Sequence, residues 1–505
     1  MTNPEQSLTR ATHISNIILA AGSAASVLVF FYYFYYYSWT GARQFSNRIG
    51  ILLYYVLPVG LAFLLFASLR LPRGHKINLA ILCVSLTASL YGAESFLLFI
   101  DPTVNRPVKP LMAVIDGLPR GEKERAATKI AKQFGVPVDS RSGLEVLTDL
   151  QKGGIDAVPI ITPSKHLFLR QPDGSVKSAI SINGEEVMPL GGISGKTTLL
   201  CNESGQWIHY PSDEHGFNNP KGSWQIRQMD IAAVGDSYAH GYCVPPNKGF
   251  VALIQQRYPA TLNLGMAGNG PLLTLATVSE YLTVFKPKVV LWFYFEGNDI
   301  PDVQTEKESR LLMRYLKEGF NQSLIVRQND VDRALLADIK RQMVLGEIAR
   351  ARWKANYRGN LRDKLLDFVK LSALRTKLAL VEGTTSEAVK NLADLEGPTT
   401  NLFDEILSQA KARVGAWRGQ LYFVYLPYWG RYGLKSLGPG ANQREQVLNY
   451  VRSLGISIID IHPVFQAQGD PLSLFPFRED GHYNEQGHRL VAEKVLNSIS
   501  GLTAK

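Results

Sequence analysis

The 505-residue chain is predicted to be an α/β protein, with a parallel sheet preceded by three transmembrane helices and a small α+β module. Five near-continuous apolar runs (230–234, 261–266, 289–295, 421–426 and 456–461) alternate with amphipathic segments such as 250–258. That is the pattern of strands buried on both faces by crossover helices. Three apolar stretches come first, at 14–39, 49–69 and 77–100, the last interrupted only by Glu94. Each is near the ~20 residues that cross a bilayer core. Between these regions, strand-like pieces such as HLFLR and SAISI are separated by the turn signals PDG and NGE. The expected division is therefore membrane helices at 1–100, an α+β module at 101–225 and the sheet domain at 226–505, with a helical insertion at about 303–415.

Composition narrows the function classes. Apolar residues make up 46% and charged residues 19%, as in a folded protein. The net charge of +10 invites a nucleic-acid reading, but the basic residues are dispersed and no nucleic-acid-binding signature accompanies them. A membrane surface is the expected partner. Two further spans after the first, and no small-residue cleavage pattern, argue against a signal peptide. Arg10, Arg70, Arg73 and Lys76 against Arg43 and Arg48 place the amino terminus inside and everything after residue 100 outside the cytoplasm. Glu94 lies seven residues before Asp101, near that outer surface, where it can reach water. Of the three cysteines, Cys83 sits in an apolar run, while Cys201 and Cys243 could pair in an oxidising compartment. No metal-ligand spacing or cofactor motif is present, so neither is expected.

The chemistry gathers where the strands end. The first stops at Gly235-Asp236-Ser237, and the second runs into a loop with Gly265, Gly268 and Gly270. The third ends at Glu296-Gly297-Asn298-Asp299, and after the fifth comes Asp480-Gly481-His482-Tyr483-Asn484. In a parallel sheet all four can converge on one rim, where α/β proteins bind ligands. Serine needs a neighbouring base, and histidine in turn needs an orienting carboxylate. The Ser237 and Gly268 backbone N–H groups and the Asn298 amide could hold a developing oxyanion. Nearby residues are expected to be structural: His240 in packing or a helix end, His488 at the surface or as a cap, and Asp236 and Asp299 on loop amides.

These four sets, in this order, resemble the sequence blocks of the SGNH hydrolases, or GDSL esterases/lipases. The resemblance covers residues 230 to about 500. It implies a flavodoxin-like domain acting on ester bonds, or transferring acyl groups in some branches. It makes Ser237 the nucleophile, His482 the general base, and Gly268 and Asn298 oxyanion-hole members. Many members place the acid three residues before the histidine, here Glu479. Asp480, two before, matches the branch containing extracytoplasmic polysaccharide O-acetyltransferases and is the expected triad acid, with Glu479 the fallback.

The resulting expectation is an inner-membrane, multi-pass serine esterase with a periplasmic catalytic domain. It would act on O-acyl groups of an envelope glycan or lipid through Ser–His–Asp chemistry. An O-acyltransferase served by an acyl-donor membrane partner, and an inactive glycan-binding scaffold, are the alternatives. Residues 340–377 carry eleven Lys and Arg against three acids. They read either as a basic cover for anionic lipid or acidic glycan, or as a solvated helical lid.

Overall fold

The computed structural model describes residues 4–39, 52–99, 120–356, 368–371, 374, 398–433 and 440–500. The chain divides into two compact units, Met1–Asn105 with Gly359–Val381, and Arg106–Arg358 with Glu382–Lys505.

Among the described residues of the first unit, two helices are long and apolar enough to cross a membrane, within Glu5–Tyr35 and Arg73–Phe96. The expected middle span differs. It forms a π-helical turn, Leu52–Val56, and a twelve-residue helix, Leu57–Ser68, with Pro58 in its first turn. Among the described residues Leu57–Ser68 is a shorter apolar helix than the two candidate spans. Absence of charge marks a segment as apolar but does not set its helical length. Small residues let the first two helices approach: Ser23 Oγ donates to the Ala62 carbonyl at 2.9 Å, and Gly22 faces Leu65. Phe31, Phe34, Phe63, Leu64, Phe66 and Leu82 point outward. Glu94 does not reach water as expected. It is fully buried, and its carboxylate accepts the Leu374 N–H at 2.7 Å.

The second unit opens with the helices Arg120–Phe134 and Gly143–Lys152. Ser142 and Glu145 form a reciprocal capping box that starts the second of these. Seven short strands follow: β1 (Ala157–Pro159), β2 (Phe168–Arg170), β3 (Val176–Ser178), β4 (Ile180–Ile182), β5 (Glu185–Val187), β6 (Thr197–Cys201) and β7 (Ile208–Pro211). The pairs β2–β3 and β4–β5 are hairpins. The tight β4–β5 turn uses Asn183 and Gly184, both at positive φ, as a primed two-residue turn requires.

The main sheet consists of β8 (Ile231–Gly235), β9 (Thr261–Gly265), β10 (Val289–Phe295), β11 (Gln420–Leu426) and β12 (Ser457–Asp460). Its spatial order is β12-β11-β10-β8-β9, with every pair parallel. This is the flavodoxin-like doubly wound order, whose switch point lies between β8 and β10. Alternate residues of each strand enter opposite cores. Ala232, Val234, Trp292 and Phe423 pack with the helices Pro271–Thr277 and Pro398–Ala416, and Ile231, Ala233, Phe293 and Val424 with Phe250–Arg257 and Glu485–Ile499. Burying both faces explains why these strands read as unbroken apolar runs.

The expected boundary near residue 225 is not a core boundary. Leu167, Ile180, Val187, Met188, Leu190 and Phe217 belong to the same buried cluster as Val234, Leu264 and Trp292. Residues that share one core do not form a separate module. Of the expected basic segment 340–377, residues 357–367, 372–373 and 375–377 lie outside the described residues; 340–356 belong to the helix Gln328–Asn356, Phe368 packs on Tyr91 and the Val369 carbonyl accepts the Tyr91 hydroxyl.

Candidate active site

β8 delivers Ser237 to the rim. Gly235 has φ +147°, and a side chain there would meet the Phe293 carbonyl at 2.7 Å, so the strand can leave the sheet this way only with glycine. Asp236 then caps the single turn Ser237–His240 by accepting the Tyr238 N–H at 2.9 Å. The turn leaves Ser237 half-buried.

His482 meets it from a chain segment 245 residues away. Its Nε2 lies 2.8 Å from Ser237 Oγ. Its ring is held between Tyr238 and Tyr242, each with its ring centroid 4.7 Å away. Its Nδ1 faces Glu203, at 3.0 Å from Oε1 and 2.9 Å from Oε2, and the His482 backbone N–H donates to Oε2 at 2.9 Å.

The acid facing the base is therefore Glu203, and the expectation for Asp480 is corrected. Asp480 Oδ2 accepts the Tyr428 hydroxyl at 2.7 Å, and Glu479 is exposed. Glu203 belongs to the loop between β6 and β7, within the segment expected to form the α+β module. The Asp-Gly-His spacing concealed it, because a carboxylate two residues from the histidine already fits the chemistry. The available signal was Cys201: pairing it with Cys243 would bring Glu203 close to the nucleophile's segment. Cys201 and Cys243 are disulfide-bonded.

Electrostatics agree with this arrangement. Burial alone would raise the Glu203 carboxyl, but the His482 charge and hydrogen bonds hold it below its ordinary value. Burial alone would lower the His482 ring, yet the charge and hydrogen bond of Glu203 raise it above its ordinary 6.5. A general base must be neutral to take the serine proton. Hence kcat/KM is expected to rise with pH through a midpoint above 6.5, and Glu203→Gln should move that midpoint downward. Initial rates on an activated ester across about pH 5 to 9 check both; an unmoved midpoint would separate Glu203 from the base.

The other expected rim residues are stitched to the same turn. The Met266 N–H donates to the Gly235 carbonyl at 3.1 Å, and the Ala267 N–H to His240 Nδ1 at 3.3 Å, so His240 ties the glycine loop to the serine turn. Burial pushes His240 down to about 3, leaving it neutral. Gly268, at φ +81°, lies under the turn 162–165, where an added side chain would meet Thr162 Cγ2 at 2.2 Å and Ser164 Oγ at 2.7 Å. The Asn298 amide and the Ser237 hydroxyl both engage Asp236, whose carboxyl burial pushes up to about 6. Asn298 Oδ1 is buried without a partner. Removing one oxyanion donor costs ~10²–10³ in kcat, so Asn298→Ala should lower kcat in that range with a smaller effect on KM. Steady-state kinetics decide this, and an unchanged kcat would remove Asn298 from the oxyanion hole.

Neighbouring residues take supporting positions. Asp299 accepts the Phe295 N–H, and Glu306 accepts the Gly270 and Leu272 N–H groups at the start of the helix Pro271–Thr277. His488 is fully buried rather than at the surface, and its Nδ1 accepts the Phe250 N–H at 3.1 Å, so it caps a different helix. At the rim, the exposed Lys165 acts electrostatically on Glu203, His482 and Asp302. Burial pushes the Asp302 carboxyl up to about 8. Among the described residues no cluster of His, Cys, Asp and Glu could hold a metal ion.

No protein-family model and no curated protein matches the chain. Similar solved structures are lipolytic and esterase folds. One is a member of the lipolytic G-D-S-L family from Veillonella parvula DSM 2008, with 14% identity over 54% of this chain and all of that one, at TM-score 0.29. Another is a lipase/acylhydrolase from Enterococcus faecalis, with 12% identity over 54% and 96%, at TM-score 0.29. An acetylxylan esterase from Geobacillus stearothermophilus has 14% identity over 54% and 96%, at TM-score 0.28.

Proposed function

We propose that the chain is a membrane-anchored serine esterase that cleaves O-acyl esters of an envelope glycan or lipid. The observation that carries this reading is the continuous chain Glu203–His482–Ser237, with both links at 2.8–3.0 Å. Ser237 Oγ attacks the acyl carbonyl while His482 Nε2 takes its proton, and Glu203 orients the ring and stabilises its charged form. The Ser237 and Gly268 N–H groups and the Asn298 amide receive the oxyanion. His482 returns the proton to the departing alcohol, leaving an acyl-serine. Water resolves it in an esterase, or a second hydroxyl in an O-acyltransferase, which would need a membrane partner to supply acyl groups. A silent glycan-binding scaffold has no use for an aligned nucleophile and base.

Anchoring rests on the two long apolar helices. With two crossings, the amino-terminal tail and the catalytic unit share one side. Arg43, Arg48, Arg70, Arg73 and Lys76 then fall in or beside the connecting segment, against Arg10 in the first turns of the first helix. That count keeps the catalytic unit outside the cytoplasm and turns the amino terminus outward with it. A disulfide suits that compartment. Reporters at both termini should be active only outside; a cytoplasmic reporter after Lys505 would overturn the placement.

The reaction itself is tested by mass spectrometry of envelope glycans and lipids from cells carrying the parent or Ser237→Ala. An esterase leaves acyl groups accumulating in the variant, and a transferase leaves them missing. Identical profiles, with no turnover of an activated acetyl ester by the purified chain, would sink the enzymatic reading.

A further inference from the structure

The groups that hold the His482 ring meet at one covalent link. Glu203 stands two residues after Cys201, and Tyr242 immediately precedes Cys243. Glu203 bonds the ring's Nδ1, while the Tyr242 ring lies beside it, tilted by 42° with centroids 4.7 Å apart. The disulfide between Cys201 and Cys243 thus joins the bases of both supports.

The other bonds of the Glu203 loop lead elsewhere. Asn202 Nδ2 donates to the Asp139 carbonyl, the Gly205 carbonyl accepts the Asp139 N–H, and Gln206 Nε2 reaches the Pro137 carbonyl. These fasten the loop to residues 137–139, away from the serine turn. The ladder weakens on approach as well, since β6 and β7 shift register between Leu199 and Cys201. On the other side, Cys243 is held at φ +63°, a left-handed conformation uncommon for a residue with a side chain. Both cysteines are buried, at 7% and 1% exposure, so the link is sheltered beneath the site.

Resting on the triad proposed above, we propose that the Cys201–Cys243 bridge is a positioning element. It holds the Glu203 loop and the Tyr242 backbone in register with the serine turn, so that Glu203 engages His482. Without it, the hydrogen bonds of the carboxylate itself and side-chain packing, such as that of Phe477 beside Gly205, are left to hold it against His482.

The test uses the full chain in detergent, as the parent, Cys201→Ala/Cys243→Ala, Glu203→Gln, and all three changes together. The His482 ring is titrated by NMR on histidine-labelled protein, its signal assigned by loss in His482→Gln. Hydrolysis of an activated acetyl ester is measured in parallel. Removing the bridge should lower the ring's midpoint toward that of Glu203→Gln and reduce kcat/KM at least tenfold. In the Glu203→Gln background it should cost less than twofold, because the contact it serves is already gone. An unmoved midpoint, or an equal loss in both backgrounds, would overturn the proposal. Cys201→Val/Cys243→Ala, which refills the buried space, guards against misfolding. If neither bridge-free form folds, the bridge serves the fold and the proposal fails. A parent that hydrolyses no ester would defeat the esterase reading, while the His482 titration would still decide the bridge.

Discussion

Glu203→Gln is expected to lower kcat by about 10⁴-fold, with KM changed far less, as when an orienting acid loses its charge but keeps its shape. The amide offers one acceptor oxygen where the carboxylate has two, and no charge to stabilise the protonated ring. Its NH₂ can also turn toward Nδ1 and favour the wrong tautomer. Asp480→Asn should stay within about tenfold of the parent, because Asp480 bonds Tyr428 and not the base. Steady-state kinetics on one activated ester rank the two. If Asp480→Asn proves the more damaging, the catalytic acid moves to Asp480, and the Glu203 contact becomes a structural tie.

Ser237→Ala is expected to cost about 10⁶-fold in kcat, the scale seen when a triad nucleophile is deleted. Stability should change little, because Ser237 is half-buried and its hydroxyl contacts are to Asp236, at 3.4 Å, and His482. One lost hydrogen bond is worth ~1 kcal/mol, so melting should shift by a few degrees at most. A mass shift for one acyl group on the parent after brief exposure to ester, absent from the variant, would locate the intermediate. Turnover by Ser237→Ala at more than a hundredth of the parental rate would mean another group attacks.

The sequence sufficed for much of this protein because the signals were local. Strands buried on both faces must be apolar throughout, so 230–234, 261–266, 289–295, 421–426 and 456–461 were legible, and the observed strands differ from them by at most two residues at either end. Ser237, Gly268, Asn298 and His482 stand directly after such strands or near the chain's end, where parallel topology brings them to one rim. Ser142–Glu145 and Asn183–Gly184 likewise declare a helix start and a turn within a few residues.

What the sequence left open depended on long-range contacts. Glu203 and His482 are 279 positions apart, and no periodicity or spacing connects them. Asp480 was the nearer carboxylate along the chain, but its side chain bonds Tyr428 instead. The boundary near residue 225 failed for a related reason: the strand-then-helix pattern begins just after it, yet Leu167 and Val187 bury themselves in the same core as Val234. Apolarity without charge marked the segment 49–69, of which the described residues 52–68 form a π-helical turn and a twelve-residue helix. Local chemistry therefore determined the strands, the nucleophile and the base. Only packing between distant segments decided which acid faces the base, where the core ends and whether Cys201 and Cys243 meet.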